Sequence, residues 1–229
     1  MVAPSVPTIS TPTPTRESLT GRPRTRLHEG RNFTKASVDL VELEGRSLVV
    51  KDVMGRPWPV RRLLGPWQLD REARAYARLG CVPGVPRFLG RLDPQAIVLE
   101  YIPGRTLASI RPGDLPGSFF DGLDLLVQAL HAAGVAHGDL HRHDVLEGPG
   151  GRPYLVDFST CLVEGPGSGP LRRFLFDQMR RADLRSVARL RRRLAPLPGA
   201  PLPPQPLFYR IGTVLRGLIR GARRPRGAP

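Results

Sequence analysis

Residues 135–160 read VAHGDLHRHDVLEGPGGRPYLVDFST, and this stretch decides the fold. Its polar core is His137-Gly138-Asp139, with Asp144 five residues on and Asp157-Phe158 thirteen beyond that. Just before it, Phe119–Ala133 carries Phe119, Phe120, Leu123, Leu126, Val127, Leu130 and Ala133 on one broad helical face, and Gly134 is suited to end that helix. A carboxylate on a loop that leaves a buried helix can take a proton from a hydroxyl. Two more oxygen donors on either side of a turn suit Mg²⁺, which prefers hard ligands and keeps waters and phosphate oxygens as the rest of its shell.

Working outward toward the N-terminus, Ser47–Val53 is β-branched and pairs, by its pattern, with Val38–Leu43 across the tight turn Glu44-Gly45. Lys51 stands inside that apolar run, and only Lys35 and Lys51 are lysine among 35 basic residues. A partly buried amine needs a counter-charge. A helix opening near Pro66, with Leu69, Ala73, Tyr76 and Ala77 at helical spacing and Gly80 as its stop, places Glu72 to supply it. Strands are expected at 86–92 and 96–101, with Pro103-Gly104 breaking the chain. A short strand is expected at Tyr154–Val156, and a long basic helix at Leu171–Leu194.

Taken in order, these residues resemble the protein-kinase-like superfamily. His137, Asp139 and Asp144 match its catalytic loop, Asp157-Phe158-Ser159 echoes Asp-Phe-Gly, and Leu48-Val49-Val50-Lys51 echoes the strand lysine motif. The His-Gly-Asp-Leu-His opening looks most like the small bacterial RIO-type and lipopolysaccharide (Kdo/heptose) kinases, since eukaryotic protein kinases carry Arg where Gly138 stands. The near absence of lysine is in keeping with a GC-rich bacterial source. The resemblance covers roughly residues 28–194. It implies an α+β, two-lobed kinase-like fold with a small β-rich N-lobe at 27–101 and a reduced helical C-lobe at 102–194. It further implies ATP and Mg²⁺ as cofactors. Lys51 would contact the nucleotide phosphates, held by Glu72. Glu100 and Ile102 would bind adenine through hinge backbone groups. Asp144 and Asp157 would hold metal, and Asp139 would orient the acceptor hydroxyl and receive its proton. The acceptor would be a protein Ser/Thr or a sugar of a lipopolysaccharide-type glycan.

The departures keep a second alternative open: a catalytically weak pseudokinase serving as a membrane- or partner-binding module. Asp144 stands where Asn is usual, and Ser159 where Gly is. No Gly-x-Gly-x-x-Gly precedes Lys51; residues 29–38 hold only Gly30, with Lys35 as a substitute charge. No Ala-Pro-Glu follows Phe158, so the usual peptide platform and a phosphorylation-gated segment are not expected. Asp183 is a candidate brace for the catalytic loop.

Composition sets the surroundings. The chain has 229 residues and a net charge of +15, but the charge is local. Residues 1–170 carry 20 basic against 18 acidic side chains, whereas 171–229 carry 15 Arg against Asp177 and Asp183. Residues 1–26, rich in Pro, Thr and Ser, are expected to be disordered. Residues 195–229 read as a Pro-rich linker and a basic amphipathic helix at Phe208–Arg220, which could lie on an anionic membrane or pack on the C-lobe. Nucleic acid is disfavoured, because no aromatic platform interleaves the arginines. The sequence holds no run of 18 apolar residues, no visible signal peptide, and only Cys81 and Cys161, too few for a disulfide framework. The expected location is the cytoplasm, with the basic helix able to hold the protein at the inner face of the membrane.

Overall fold

The computed structural model describes residues 14–28, 35–80, 82–195, 202–204 and 206. It divides into two compact units: one built from residues up to Ala73 with Phe88–Tyr101, the other from Arg74–Arg87 with residues from Ile102 onward.

The first unit is a five-stranded antiparallel sheet. Its strands are β1 (Arg24–His28), β2 (Ser37–Leu43), β3 (Arg46–Asp52), β4 (Phe88–Asp93) and β5 (Ala96–Glu100), in the order β1-β2-β3-β5-β4. The β2–β3 hairpin forms as the sequence suggests. Glu44 and Gly45 both adopt positive φ, 51° and 73°, which is the turn whose twist matches the flanking strands. Leu19, Val41, Leu48, Val50 and Val98 form the core on one face, with Leu43, Leu89 and Leu92 packed against it. Helix α1 (Gly65–Leu79) follows a π-helical turn at Val60–Leu64. A Cβ at Gly65 would lie 2.7 Å from Val53 Cγ2, so glycine is what lets the helix start that close to the end of β3.

The expectation of disorder through residue 26 is corrected for residues 14–26. Glu17–Leu19 forms a 3₁₀ turn and β1 begins at Arg24. Leu19 is fully buried. Arg16 donates to Asp52 Oδ2 at 2.8 Å and also pairs with Asp93. β1 is an edge strand joined to β2 by backbone pairing, with every side chain exposed. Such a strand writes no alternating apolar pattern into its sequence, so composition does not reveal it.

The second unit is built on helices α2 (Gly117–Ala132) and α3 (Pro170–Leu194), which pack together. Phe119, Phe120, Leu123, Leu126, Val127 and Leu130 of α2 are buried, as their spacing predicts. Phe176, Ala182, Val187, Leu190 and Leu194 form the inner stripe of α3. Short strands frame the loops between them. β6 (Arg105–Thr106), β8 (Val145–Glu147) and β9 (Pro153–Leu155) make one small sheet; β7 (Val135–Ala136) and β10 (Leu162–Val163) make another. Several arginines of α3 are engaged: Arg191 with Asp121 and Asp124 at 2.7 and 3.4 Å, and Arg181 with Asp177 at 2.8 Å. Among the described residues no helix is long and apolar enough to cross a membrane. The basic helix expected at 208–220 lies outside the described residues, as do residues 29–34 of the stretch where a glycine-rich loop would fall.

Candidate active site

In the first unit the site begins with an ion pair. Lys51 sits on β3, in register with Val38 of β2 and Ile97 of β5. Its Nζ donates to Glu72 Oε1 of α1. Lys51 is 6% exposed and Glu72 2%, so the two charges are withdrawn from water together. Such a pair persists because each charge satisfies the other; either alone would be an uncompensated buried ion. Glu100 ends β5 opposite Leu48. Glu100, Tyr101 and Ile102 are partly buried, and the chain passes from the first unit to the second after Tyr101.

In the second unit the organising group is Asp183 of α3, 1% exposed. Its Oδ2 accepts from the His137 N–H at 2.8 Å and lies 3.0 Å from His131 Nε2; its Oδ1 accepts from the Gly138 N–H at 2.8 Å. One carboxylate thus ties together the end of α2, the start of the catalytic-type loop and the long helix. The brace suggested for Asp183 is present. His131, which completes it, was not singled out from sequence: it lies in an apolar helical stripe, and only its polarity marked it out.

Gly138 has φ +83°, and a Cβ there would fall 2.0 Å from Met179 Cε. The positive φ is the physical reason glycine stands between His137 and Asp139; a Cβ there would also force Met179 to move. The His137 ring is buried. Its Nε2 is 3.2 Å from the Val156 carbonyl oxygen, its Nδ1 has no hydrogen-bond partner, and it packs against Phe158 with ring centroids 5.1 Å apart. Phe158 is fully buried and makes an edge-to-face contact with Tyr76 at 5.0 Å. The Asp-Phe turn is therefore anchored by its aromatic member, which leaves Asp157 at the end of a fixed lever.

The three loop carboxylates differ. Asp139 is half exposed, and its carbonyl oxygen accepts from His141 Nδ1 at 2.6 Å. Asp144 is mostly buried, and its Oδ2 accepts from the His141 N–H at 2.8 Å. Val156 N–H donates to the Asp144 carbonyl at 2.9 Å, which links the loop to the segment entering Asp157. Burial pushes the Asp144 carboxyl above the usual carboxylate range; His137 pulls it back in part, and the neighbouring Asp157 carboxylate pushes it further up. Asp157 has φ +65°, a conformation that costs a non-glycine residue energy and is kept where the surroundings impose it. Ser159 does not share it; the left-handed residue in this turn is Asp157 itself.

Asp144 and Asp157 suit a divalent cation. They are close enough for one carboxylate to raise the proton affinity of the other, and a cation relieves that repulsion. Among the described residues no three His, Cys, Asp or Glu side chains gather as a self-sufficient metal centre. Two carboxylates completed by substrate oxygens is the usual arrangement for Mg²⁺.

No protein-family model matches the chain. A curated relative, the EKC/KEOPS complex subunit BUD32 of Encephalitozoon cuniculi, is 32% identical over 96 residues, covering 41% of this chain and 47% of its own length. The chain thus spans about half the length of the curated relative it matches. Among solved structures, the Rio2 kinase of Chaetomium thermophilum superposes with a TM-score of 0.57 at 17% identity, over 79% of this chain and 60% of that one. The site geometry, the order of its residues and these similarities lead to one structural conclusion: the chain has the mixed α/β, protein-kinase-like fold.

Proposed function

We propose that the protein is an ATP- and Mg²⁺-dependent phosphotransferase that moves the γ-phosphate to an alcohol. The observation that carries this reading is the buried Lys51–Glu72 pair. A strand amine held charged by a helical carboxylate is costly to build for stability alone, and it suits a group that must meet polyphosphate. The similarity to a Rio2 kinase supports the same chemistry.

In this reading Lys51 contacts the nucleotide phosphates while Glu72 fixes its amine, and backbone groups at Glu100 and Ile102 receive the adenine. Asp144 and Asp157 hold the Mg²⁺, which supplies charge neutralisation at the phosphate oxygens. Asp139, half exposed and fixed through its loop by Asp183, orients the acceptor hydroxyl and takes its proton. The acceptor is a Ser/Thr side chain or a glycan sugar, as in the RIO-type and lipopolysaccharide kinases that the His137–His141 stretch resembles. We place the protein in the cytoplasm, with its basic C-terminal region able to meet an anionic membrane face.

The test is ATP turnover and label transfer by the purified chain with Mg²⁺, using a Ser/Thr protein mixture in one arm and dephosphorylated lipopolysaccharide in the other. Asp157→Ala is expected to lower turnover at least about a hundredfold and to remove the Mg-ATP thermal shift. Absence of turnover, with a Mg-ATP shift that Asp157→Ala leaves unchanged, would overturn the enzyme reading and favour a binding module.

A further inference from the structure

The second unit carries another polar concavity, built where β10 runs into α3. It has a volume of about 420 Å³ and is lined by Arg78 at the end of α1, Arg172 in the first turn of α3, and the connecting loop Gly165–Gly169. It lies at the end of β10 remote from the catalytic-type loop. Val163 pairs with Val135 and Glu164 N–H bonds to Gly134 O, whereas Leu162 pairs with Ala136, one step nearer His137.

Both guanidinium groups are anchored through main-chain carbonyls. Arg78 Nε donates to Ala133 O at 2.6 Å. Arg172 Nε donates to Val163 O at 2.8 Å, and its Nη2 donates to the same oxygen. Among the described residues neither is paired with a carboxylate; the adjacent Glu164 is instead directed to Arg173, at 3.9 Å. A guanidinium has five N–H donors. After these bonds each arginine keeps donors, and its positive charge meets no carboxylate among the described residues.

The walls are shaped around those groups. A Cβ at Gly134 would come within 3.0 Å of an Arg78 terminal nitrogen, and one at Gly165 within 3.1 Å. Arg78 is thus seated against backbone from two sides. Gly165 N–H donates to Ser168 Oγ at 3.1 Å, which leaves the hydroxyl proton free to donate elsewhere. Two oriented forks and a hydroxyl donor in one polar concavity match the tetrahedral oxygens of phosphate, which arginine binds in paired hydrogen bonds. The positive end of α3, which starts at Pro170, adds to the same potential. The volume exceeds that of a bare phosphate and leaves room for part of the group it esterifies.

We propose that this concavity is an anion site for a phosphomonoester group, formed by Arg78, Arg172 and Ser168 and separate from the nucleotide-binding residues. The group could come from a soluble phosphate ester or from a lipid headgroup, and the arms of the test separate these sources.

The experiment uses the full chain. Inorganic phosphate and glycerol 3-phosphate are titrated by calorimetry against chloride at matched ionic strength. Flotation with phosphatidylcholine vesicles, with and without phosphatidic acid, forms the second arm. Wild type is expected to bind the soluble probes saturably, and Arg172→Gln to weaken them at least about tenfold. Gly169→Asp keeps the fold testable: a Cβ there meets nothing within 4 Å, and the residue is the N-cap of α3. Its carboxylate would sit at the mouth of the site as a competing anion, so the same loss is expected from a variant with a stronger cap. The double variant Lys51→Met with Glu72→Leu, which leaves no unpaired buried charge, is expected to retain phosphate binding while losing Mg-ATP, which separates this site from the nucleotide reading. Arg172-dependent binding to phosphatidic acid vesicles alone would assign the source to a lipid. Phosphate indistinguishable from chloride in both arms, or binding unchanged in Arg172→Gln and Gly169→Asp, would overturn the proposal.

Discussion

Glu72 is a buried carboxylate and Asp144 a mostly buried one, one in each compact unit, and they meet opposite neighbours. Glu72 faces the Lys51 amine; Asp144 has the Asp157 carboxylate near it. The first is complete within the protein. The second has its pKa pushed up by burial and by the neighbouring Asp157 carboxylate, which His137 offsets only in part. The contrast teaches which carboxylate folding satisfies and which it leaves able to accept a cation. Asp183 sharpens it: a third buried carboxylate, it is satisfied by two backbone N–H groups and a histidine, so it needs nothing from solvent or ligand.

The largest expected effect comes from breaking the satisfied group that holds most together. Asp183→Ala removes three hydrogen bonds and strands the buried N–H groups of His137 and Gly138. A loss of about 5 kcal/mol is expected in denaturant unfolding, because bonds to a buried charge are the most expensive to leave unmade. An Asp183→Ala protein within about 1 kcal/mol of wild type would show that the loop stands without its brace. Next comes the ion pair. Lys51→Ala leaves Glu72 buried and uncompensated, at an expected cost of about 3–5 kcal/mol. The double change Lys51→Met with Glu72→Leu should recover most of that loss, because it removes both desolvated charges at once. If the double variant is no better than the single one, the pair is not acting as a mutually compensating unit.

The smallest effect has the opposite sign. The folded Asp144 carboxyl sits above its ordinary value of 3.8, so in that window the native state binds more protons than the unfolded chain. Stability contributed by the protonated form is present below about pH 4 and is lost as pH rises through the raised value. Asp144→Asn is therefore expected to flatten that part of the stability-versus-pH curve and to raise stability slightly at neutral pH. Added Mg²⁺ should stabilise wild type at neutral pH and do less for the variant. An unchanged curve would mean that Asp144 does not carry the raised proton affinity assigned to it.

How much of this was legible in advance follows from how each residue is determined. The β2–β3 hairpin could be read because Glu44-Gly45 supplies the positive φ values locally, and the buried face of α2 because its apolar spacing is a one-dimensional signal. Lys51 could be singled out as an amine inside an apolar run with Glu72 as its counter-charge, and Asp139, Asp144 and Asp157 by an order and spacing that resemble the kinase-type loops. β1 could not be read: its backbone pairs with β2 while its side chains face solvent, and backbone pairing leaves no trace in residue type. The anchoring of residues 14–19 was hidden for a related reason. One leucine filling the sheet core and one arginine bridging two distant aspartates look like nothing in a Pro- and Thr-rich run.

The sequence by itself determined the order of chemical groups along the chain, the helices and the hairpin, because these depend on neighbours a few residues apart. Only the tertiary structure decided that Asp183 and His131, 52 positions apart, close on the His137–Gly138 backbone. It alone set Gly138 at a positive φ that other residues adopt only under strain, and it alone set Arg78 and Arg172 around one concavity with no carboxylate for either among the described residues. In each case the deciding fact is which groups far apart in sequence come together, and that exists only once the chain has packed.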